Sequence, residues 1–404
     1  MKLSRKTAAA VCDISRIVTR LTGLLLLLSV PAFAQHHEGM QMPAQPDLAR
    51  DLLMQQVSGT SANPIAVPME MEMTTWEKWN LMWHGTAFLN QVVENDGGGE
   101  KLFATNWIMG MADRPLAGGH VMLRSMFSLE PLTIGKKGYP ELFQSGEGLL
   151  NRQHAHDFFM ELAAEFAVDI GHRTVGYVYA APVGDPALGP VAFPHRSSAA
   201  EIPQAPLGHH LEDSTHIAAS VFTIGAKQDE FGVAISGFHG REPDNDNRWD
   251  IDKGSLDSWS IRGTWDPSPN WSGQISTGHL KDPEANEPGD IQRTTASVSY
   301  FKDDLSGSVI WGWNHKSNSD TNAFLAETTY RFNVSNYVTG RLEILKKEEF
   351  PNTIKALTGG YTKDLYRSGD LLGGVGGNVT VYQSNDHRPL SFYAFVRLRT
   401  AGGM

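Results

Sequence analysis

From Trp76 to Thr400 apolar and polar residues alternate with a period of two, stretch after stretch. Phe158, Met160, Leu162, Ala164, Phe166 and Val168 share one side of an extended segment, and Phe159, Glu161, Ala163, Glu165 and Asp169 share the other. Val121, Leu123 and Phe127 alternate with His120, Met122 and Arg124; Val338, Leu342 and Ile344 with Thr339, Arg341 and Glu343; Phe392, Ala394, Val396 and Leu398 with Tyr393, Arg397 and Arg399. A pleated strand sends successive side chains to opposite faces, so each stretch predicts a strand with one apolar and one polar side. About sixteen such strands fit, with fourteen to eighteen as the range.

The joins carry a second rhythm. Tight turns are predicted at 117–119, 171–172, 228–230, 267–270, 303–304, 333–336 and 366–369, most of them rich in Gly, Pro, Asn and Asp. Between them fall longer joins at 95–100, 130–155, 184–214, 243–254, 281–290, 317–321, 349–353 and 384–389. Short turns alternating with long loops define an all-β, transmembrane, antiparallel up-and-down β-barrel. An even strand number places both termini on the short-turn, periplasmic side. Trp76, Trp79, Trp83, Trp107, Trp259, Trp265, Trp311 and Trp313 sit near strand ends or outward faces, where they would form aromatic girdles.

The first residues agree with export. Lys2, Arg5, Lys6, Arg16 and Arg20 precede an apolar run, Leu21 to Val30, and Ala32-Phe33-Ala34 gives a small-x-small cleavage pattern. The expected organisation is a signal peptide at 1–34, a flexible His/Met-containing leader at 35–75, the barrel at 76–400 and a tail at 401–404. Cys12 is the one cysteine, so the chain beyond it has neither disulfides nor thiolate metal sites.

Charge narrows the partners. The chain carries −11; the presequence holds +4 from its five basic residues against Asp13, leaving −15 beyond it. So acidic an exported chain is a poor nucleic-acid binder. Mean hydropathy is −0.29, and no later segment has the ~18 unbroken apolar residues of a membrane helix. Membrane residence must come from a closed barrel, in which every backbone group is paired. The expected partners are outer-membrane lipid and small polar solutes or ions. A homotrimer is expected by analogy with barrels of this size.

On the polar face the alternation places Arg124, Glu161, Glu165, Asp169, Arg262, Arg341, Glu343 and Arg397, with Arg399 beside them. Opposed charges at a constriction orient solutes and set ion preference. The same residues can instead pair with one another and fill the lumen, and both readings stand at this stage.

Histidines gather in the two longest loops. His154 and His156 end the first, with Asp157 next to them; His195, His209, His210 and His216 lie in or beside the second. Neutral imidazole suits Zn, Cu, Ni or Fe, so a transition-metal site is one reading and loop-holding hydrogen bonds the other. His36, His37, Met40 and Met42, followed by Met69, Met71 and Met73, form a second stretch whose thioethers and imidazoles favour copper. His195-Arg196-Ser197 and Ser214-Thr215-His216 have the His–Ser spacing of a barrel hydrolase, a weak pattern that any histidine-containing loop can match.

Six segments, Trp79–Gly85 (WNLMWHG), Asn106–Ala112 (NWIMGMA), Ser128–Pro131 (SLEP), Gln153–Glu161 (QHAHDFFME), Gly189–Arg196 (GPVAFPHR) and Gly240–Asp244 (GREPD), together resemble a family of uncharacterised bacterial outer-membrane barrel proteins. The resemblance implies the barrel, the signal peptide and a His-rich lead-in, and brings no reaction, substrate or site with it. The expectation is therefore a porin-like outer-membrane channel, not an enzyme, narrowed by loops 130–155 and 184–214. A barrel handling copper, zinc or another transition metal is the alternative, and a barrel hydrolase a lesser one; last comes a secreted β-sandwich.

Overall fold

The computed structural model describes residues 47–401 apart from 96–97, 147, 214–217, 244–246, 285–287, 318 and 386. Among the described residues sixteen antiparallel strands close into a barrel. In chain order they are β1 (Trp79–Glu94), β2 (Gly99–Leu116), β3 (Gly119–Phe127), β4 (Phe159–Gly171), β5 (Thr174–Gly184), β6 (Ala218–Gln228), β7 (Phe231–His239) and β8 (Ser258–Ser268). Then follow β9 (Trp271–Leu280), β10 (Ile291–Lys302), β11 (Leu305–Lys316), β12 (Ser319–Asn333), β13 (Asn336–Lys346), β14 (Ile354–Ser368), β15 (Leu371–Gln383) and β16 (Leu390–Thr400).

Each strand pairs with the next, and β16 returns to β1 from Ser391↔Glu94 to Arg399↔Thr86. Closure removes both sheet edges, which is the condition for a sheet to stand in lipid. Nine residues, the length of β3 and β7, are about enough to cross the hydrocarbon layer when tilted. No helix among the described residues is long and apolar enough to cross a membrane.

Side chains sort as the alternation requires. Ile108, Leu123, Phe222, Ile224, Ile235, Ile275, Val309, Leu357 and Phe392 are exposed on the outer face. Arg124, Glu165, Arg262, Arg293, Glu327, Arg341 and Arg397 are buried on the inner one. Apolar outside and charged within is the reverse of a water-soluble domain, and it is the pattern of an outer-membrane barrel. The seven tight turns and eight long joins recur within a few residues of where the sequence places them; the last turn, expected at 366–369, lies at 369–370 between β14 and β15. The join after β11 is shorter than the expected 317–321, because Ser319 already pairs with Lys316.

The lumen is occupied by the chain itself. Helix α1 (Leu48–Gln55) is N-capped by the Asp47 carboxylate, which accepts from the Arg50 amide, and it buries Ala49, Leu52 and Leu53. A small hairpin, Gln56–Ser58 with Ser61–Ala62, follows it. Glu72–Trp76 then pairs antiparallel with the foot of β1, from Glu72↔Trp83 to Trp76↔Trp79. Residues 48–75, expected as part of a flexible leader, are thus built into the barrel. The reason is that Leu52 and Leu53 find an apolar wall of Met82, Met109, Met111, Met122, Met126 and Met160 to cover. Trp107 also departs from expectation: it lies on the inner face of β2, against His84 and His195, and not in a girdle.

The two long loops fold inward as well. The first holds α2 (Glu130–Thr133) and a hairpin of Tyr139–Gly146 with Leu149–Gln153. The second runs through short turns at Phe193–His195 and Ser197–Ala199 to α3 (His209–Glu212).

Candidate functional site: the charged lumen and its inward loops

The inner wall holds these three segments through buried cations. Arg124 donates to the carbonyl oxygens of Gln56 (3.2 Å) and Gly59 (2.6 Å), and to Glu165 at 3.3 Å; Glu161 lies 3.4 Å away. Gly59 can sit at that hairpin tip because its φ is +51° and because a Cβ there would run into the Asp185 backbone. Across the lumen Arg262 donates to Ser61 and, at 2.7 Å, to Thr60. Two of the sequence-assigned lumen arginines therefore grip the N-terminal hairpin.

Other arginines hold the second loop. Glu327 on β12 accepts from Arg196 Nε at 2.6 Å, from Ser198 Oγ at 2.8 Å and from Arg341 Nε at 2.9 Å. Arg196 also donates to Asp213 and to the Val191 carbonyl, both at 3.1 Å. Arg341 donates to the Gln204 carbonyl (3.0 Å), and Glu343 accepts from the Leu207 amide at 2.5 Å. Arg397 bridges Glu201 of the loop and Asp364 of β14, and Arg399 reaches Glu70 at 3.0 Å. Of the eight sequence-assigned residues, Asp169 stands apart at the exposed short-turn rim. Arg196, Glu201, Asp213 and Glu327 were missed. The first three lie in an irregular loop without periodicity, whereas alternation along β12 could have revealed Glu327.

The first loop is anchored on β1 and β2. Lys101 donates to the carbonyls of Ile134 and Gly138, each at 2.6 Å, and Tyr139 stacks on Phe103 with centroids 4.4 Å apart. Glu130 accepts from both the backbone amide (2.8 Å) and Nδ1 (2.9 Å) of His156. Burial works against the His156 imidazolium, but the Glu130 carboxylate outweighs it and holds the pKa above its ordinary value.

The structure divides the candidate metal ligands. His154, His209 and His210 come together, each offering a ring nitrogen within 4.8 Å of the others. Burial pushes His154 and His209 well below the usual imidazole range, with Arg248 adding to the effect at His154 and His210 at His209. His156 is outside that group. His195 sits with Nε2 3.1 Å from Met126 Sδ and its ring 5.7 Å from that of His84, whose Nε2 lies 3.3 Å from Met109 Sδ. Met71 joins the methionine wall. His216, His36, His37, Met40 and Met42 lie outside the described residues. The hydrolase spacing does not assemble at the first location: His195 faces Met126, while Ser197 Oγ meets Ser306 Oγ at 2.6 Å. Ser214 lies outside the described residues.

One large cavity, about 850 Å³, opens at the short-turn end. Asp304, Arg331, Arg367 and Arg399 line its mouth, and it runs inward past His84, Trp107 and His195 to Glu130, His154 and His156. Beyond lie pockets of about 30 and 50 Å³, one against Met126 and Met160, the other against Arg262 and Gln274.

No protein-family model and no curated protein matches the chain. Solved structures do. The anion-selective porin from Comamonas acidovorans superposes with a TM-score of 0.55 at 11% identity, over 80% of this chain and 99% of that one. OmpF of Salmonella typhi gives 0.54 at 10% identity, over 81% and 100%. The trimer form of OmpT, an outer membrane protein of Vibrio cholerae, gives 0.50 at 8% identity, over 80% and 100%. At these identities the likeness is one of fold, the sixteen-stranded porin barrel.

Proposed function

We propose that this protein is a porin-like outer-membrane channel for small polar solutes or ions, its path narrowed by the inward loops 130–155 and 184–214. The observation that carries the reading is the 850 Å³ vestibule, whose charged mouth leads from the short-turn rim to the first inward loop. A barrel of sixteen strands encloses more width than side chains alone can fill. Here the remainder is taken by the two loops and by residues 48–62, so the conduit is a restricted one. Opposed charges along it, Arg331 and Arg399 against Glu70 and Asp304, would orient a polar solute as it enters. The Comamonas protein to which the fold is similar is an anion-selective porin, and the Vibrio protein exists as a trimer; both properties are carried here as part of the proposal. Export through cleavage after Ala34 belongs to it too.

Single-channel recording of the refolded, tag-free protein in a planar bilayer tests the proposal. Small, steady conductance with a measurable ion preference is expected. A correctly folded barrel that passes no current would overturn it. A metal-handling barrel is the second reading, and the histidine cluster is the observation that favours it.

A further inference from the structure

His154, His209 and His210 come from two loops more than fifty residues apart, and the barrel wall presses those loops together. All three side chains are buried, at 2, 1 and 6% exposure. Buried imidazoles are kept only where polar groups hold them. Their outer nitrogens are directed in a common way. His154 Nδ1 lies 2.9 Å from the Ala155 carbonyl, His209 Nδ1 2.8 Å from the Pro206 carbonyl, and His210 Nδ1 3.4 Å from Glu242 Oε1. Gln144 Nε2 also approaches His209 Nδ1 at 3.3 Å, while donating to the same Pro206 carbonyl.

A carbonyl can only accept, so at His154 and His209 it favours the tautomer with the proton on Nδ1. The lone pair of those two rings is then on Nε2. A ring N–H held by an acceptor, with the other ring nitrogen left to bind, is how histidine ligands of a metal are oriented, and one nitrogen of each ring lies within 4.8 Å of the others. Glu242 and Glu284 face His210 and set negative charge against Arg248 and Lys347, which also face the cluster.

We infer that His154, His209 and His210 form a binding site for one divalent transition cation of the zinc type, clamped between the two inward loops. Three neutral nitrogens leave a fourth position for water or a small anion, as in open tetrahedral sites. Nitrogens on a tetrahedral ion at about 2.0–2.1 Å lie about 3.4 Å apart, so the rings close by about an ångström or slightly more from their 4.8 Å limit. His154 lines the large cavity, which gives the ion an entry path from the short-turn end. The site stands whether or not the lumen conducts.

Zinc itself is the probe. The refolded full chain, stripped with chelator, is titrated with Zn²⁺, and bound metal is counted per chain. One equivalent is expected, with the heat-modified gel transition shifted to higher temperature because the ion ties the loops together. His154→Ala, His209→Ala and His210→Ala are each expected to weaken binding tenfold or more, and Glu242→Gln to weaken it less. His315→Ala, on the surface, is expected to leave it unchanged. Should the alanine variants fail to fold, Co²⁺ bound to the unsubstituted protein is read by its visible spectrum, and the intense bands of a tetrahedral nitrogen-rich site are expected. Absence of stoichiometric zinc, binding that survives all three loop substitutions, or binding lost only with His36 and His37 overturns the inference.

Discussion

Changing Arg196 to Met removes the guanidinium that ties the second loop to the wall, and nearly conserves volume. Three acceptors lose by it: Glu327, Asp213 and the Val191 carbonyl. Removing one member of a buried ion pair costs about 3–5 kcal/mol, because the remaining charge is left desolvated without its partner. Glu327 keeps Arg341 and Ser198, which argues for the low end. Asp213 is 3% exposed and loses the guanidinium from which it accepts at 3.1 Å. About 3 kcal/mol at room temperature is a factor of about 10² in the balance between docked and undocked loop. Hydrogen–deuterium exchange reads that balance at the amides of Leu207, Leu211 and Glu212, which are held by Glu343 and by the backbone of Gly208. They are expected to exchange about a hundredfold faster in the variant, with the strand amides unchanged. Arg196→Lys is expected to recover part of the protection, since an ammonium restores charge but not the fork of donors. Wild-type exchange across 187–212 in Arg196→Met would refute the claim that buried pairing holds the loop inside.

Two more outcomes follow from the same geometry. Because Glu130 raises the His156 pKa, the pair is fully formed below the unfolded imidazole value of about 6.5 and is lost as pH rises through the higher folded value. Exchange in residues 128–158 is therefore expected to quicken on the alkaline side, and Glu130→Gln to abolish that pH dependence; an identical profile in the variant would contradict the assignment. Gly312 on β11 lets the Leu211 carbonyl approach so closely that any Cβ there would collide with it. Gly312→Val is expected to push α3 off the wall at a cost of about 1–3 kcal/mol and to raise channel conductance, which bilayer recording checks directly.

Much of this molecule can be read from its sequence where one rule acts alone. Period-two alternation and turn residues are local, so the strands, the turns and the inward direction of Arg124, Arg262, Arg341 and Arg397 follow from neighbouring residues. Pairing is not local. Arg196 and Glu327 are 131 residues apart, and nothing in either neighbourhood names the other. The methionine wall escaped for a different reason. Met82 and Met109 are apolar residues on an inner face, while their strand neighbours are apolar on the outer face, so polarity could not tell the two sides of β1 and β2 apart. The same wall explains why residues 48–55 are helical and docked. Their Leu48, Leu52 and Leu53 have helical spacing behind an Asp cap, but that short pattern becomes decisive only when a complementary surface exists.

The seam between the first and last strands is uneven. β16 covers β1 only as far down as Thr86, and Glu72–Trp76 takes over from Trp83 to Trp79. Without that segment five residues of β1 would present bare amide and carbonyl groups, a template on which another chain could add. The segment that follows the lumen-filling hairpin thus works as an edge guard. It ties correct placement of the N-terminal plug to protection against intermolecular strand pairing, so a mis-threaded molecule would expose a strand edge on which another chain can add.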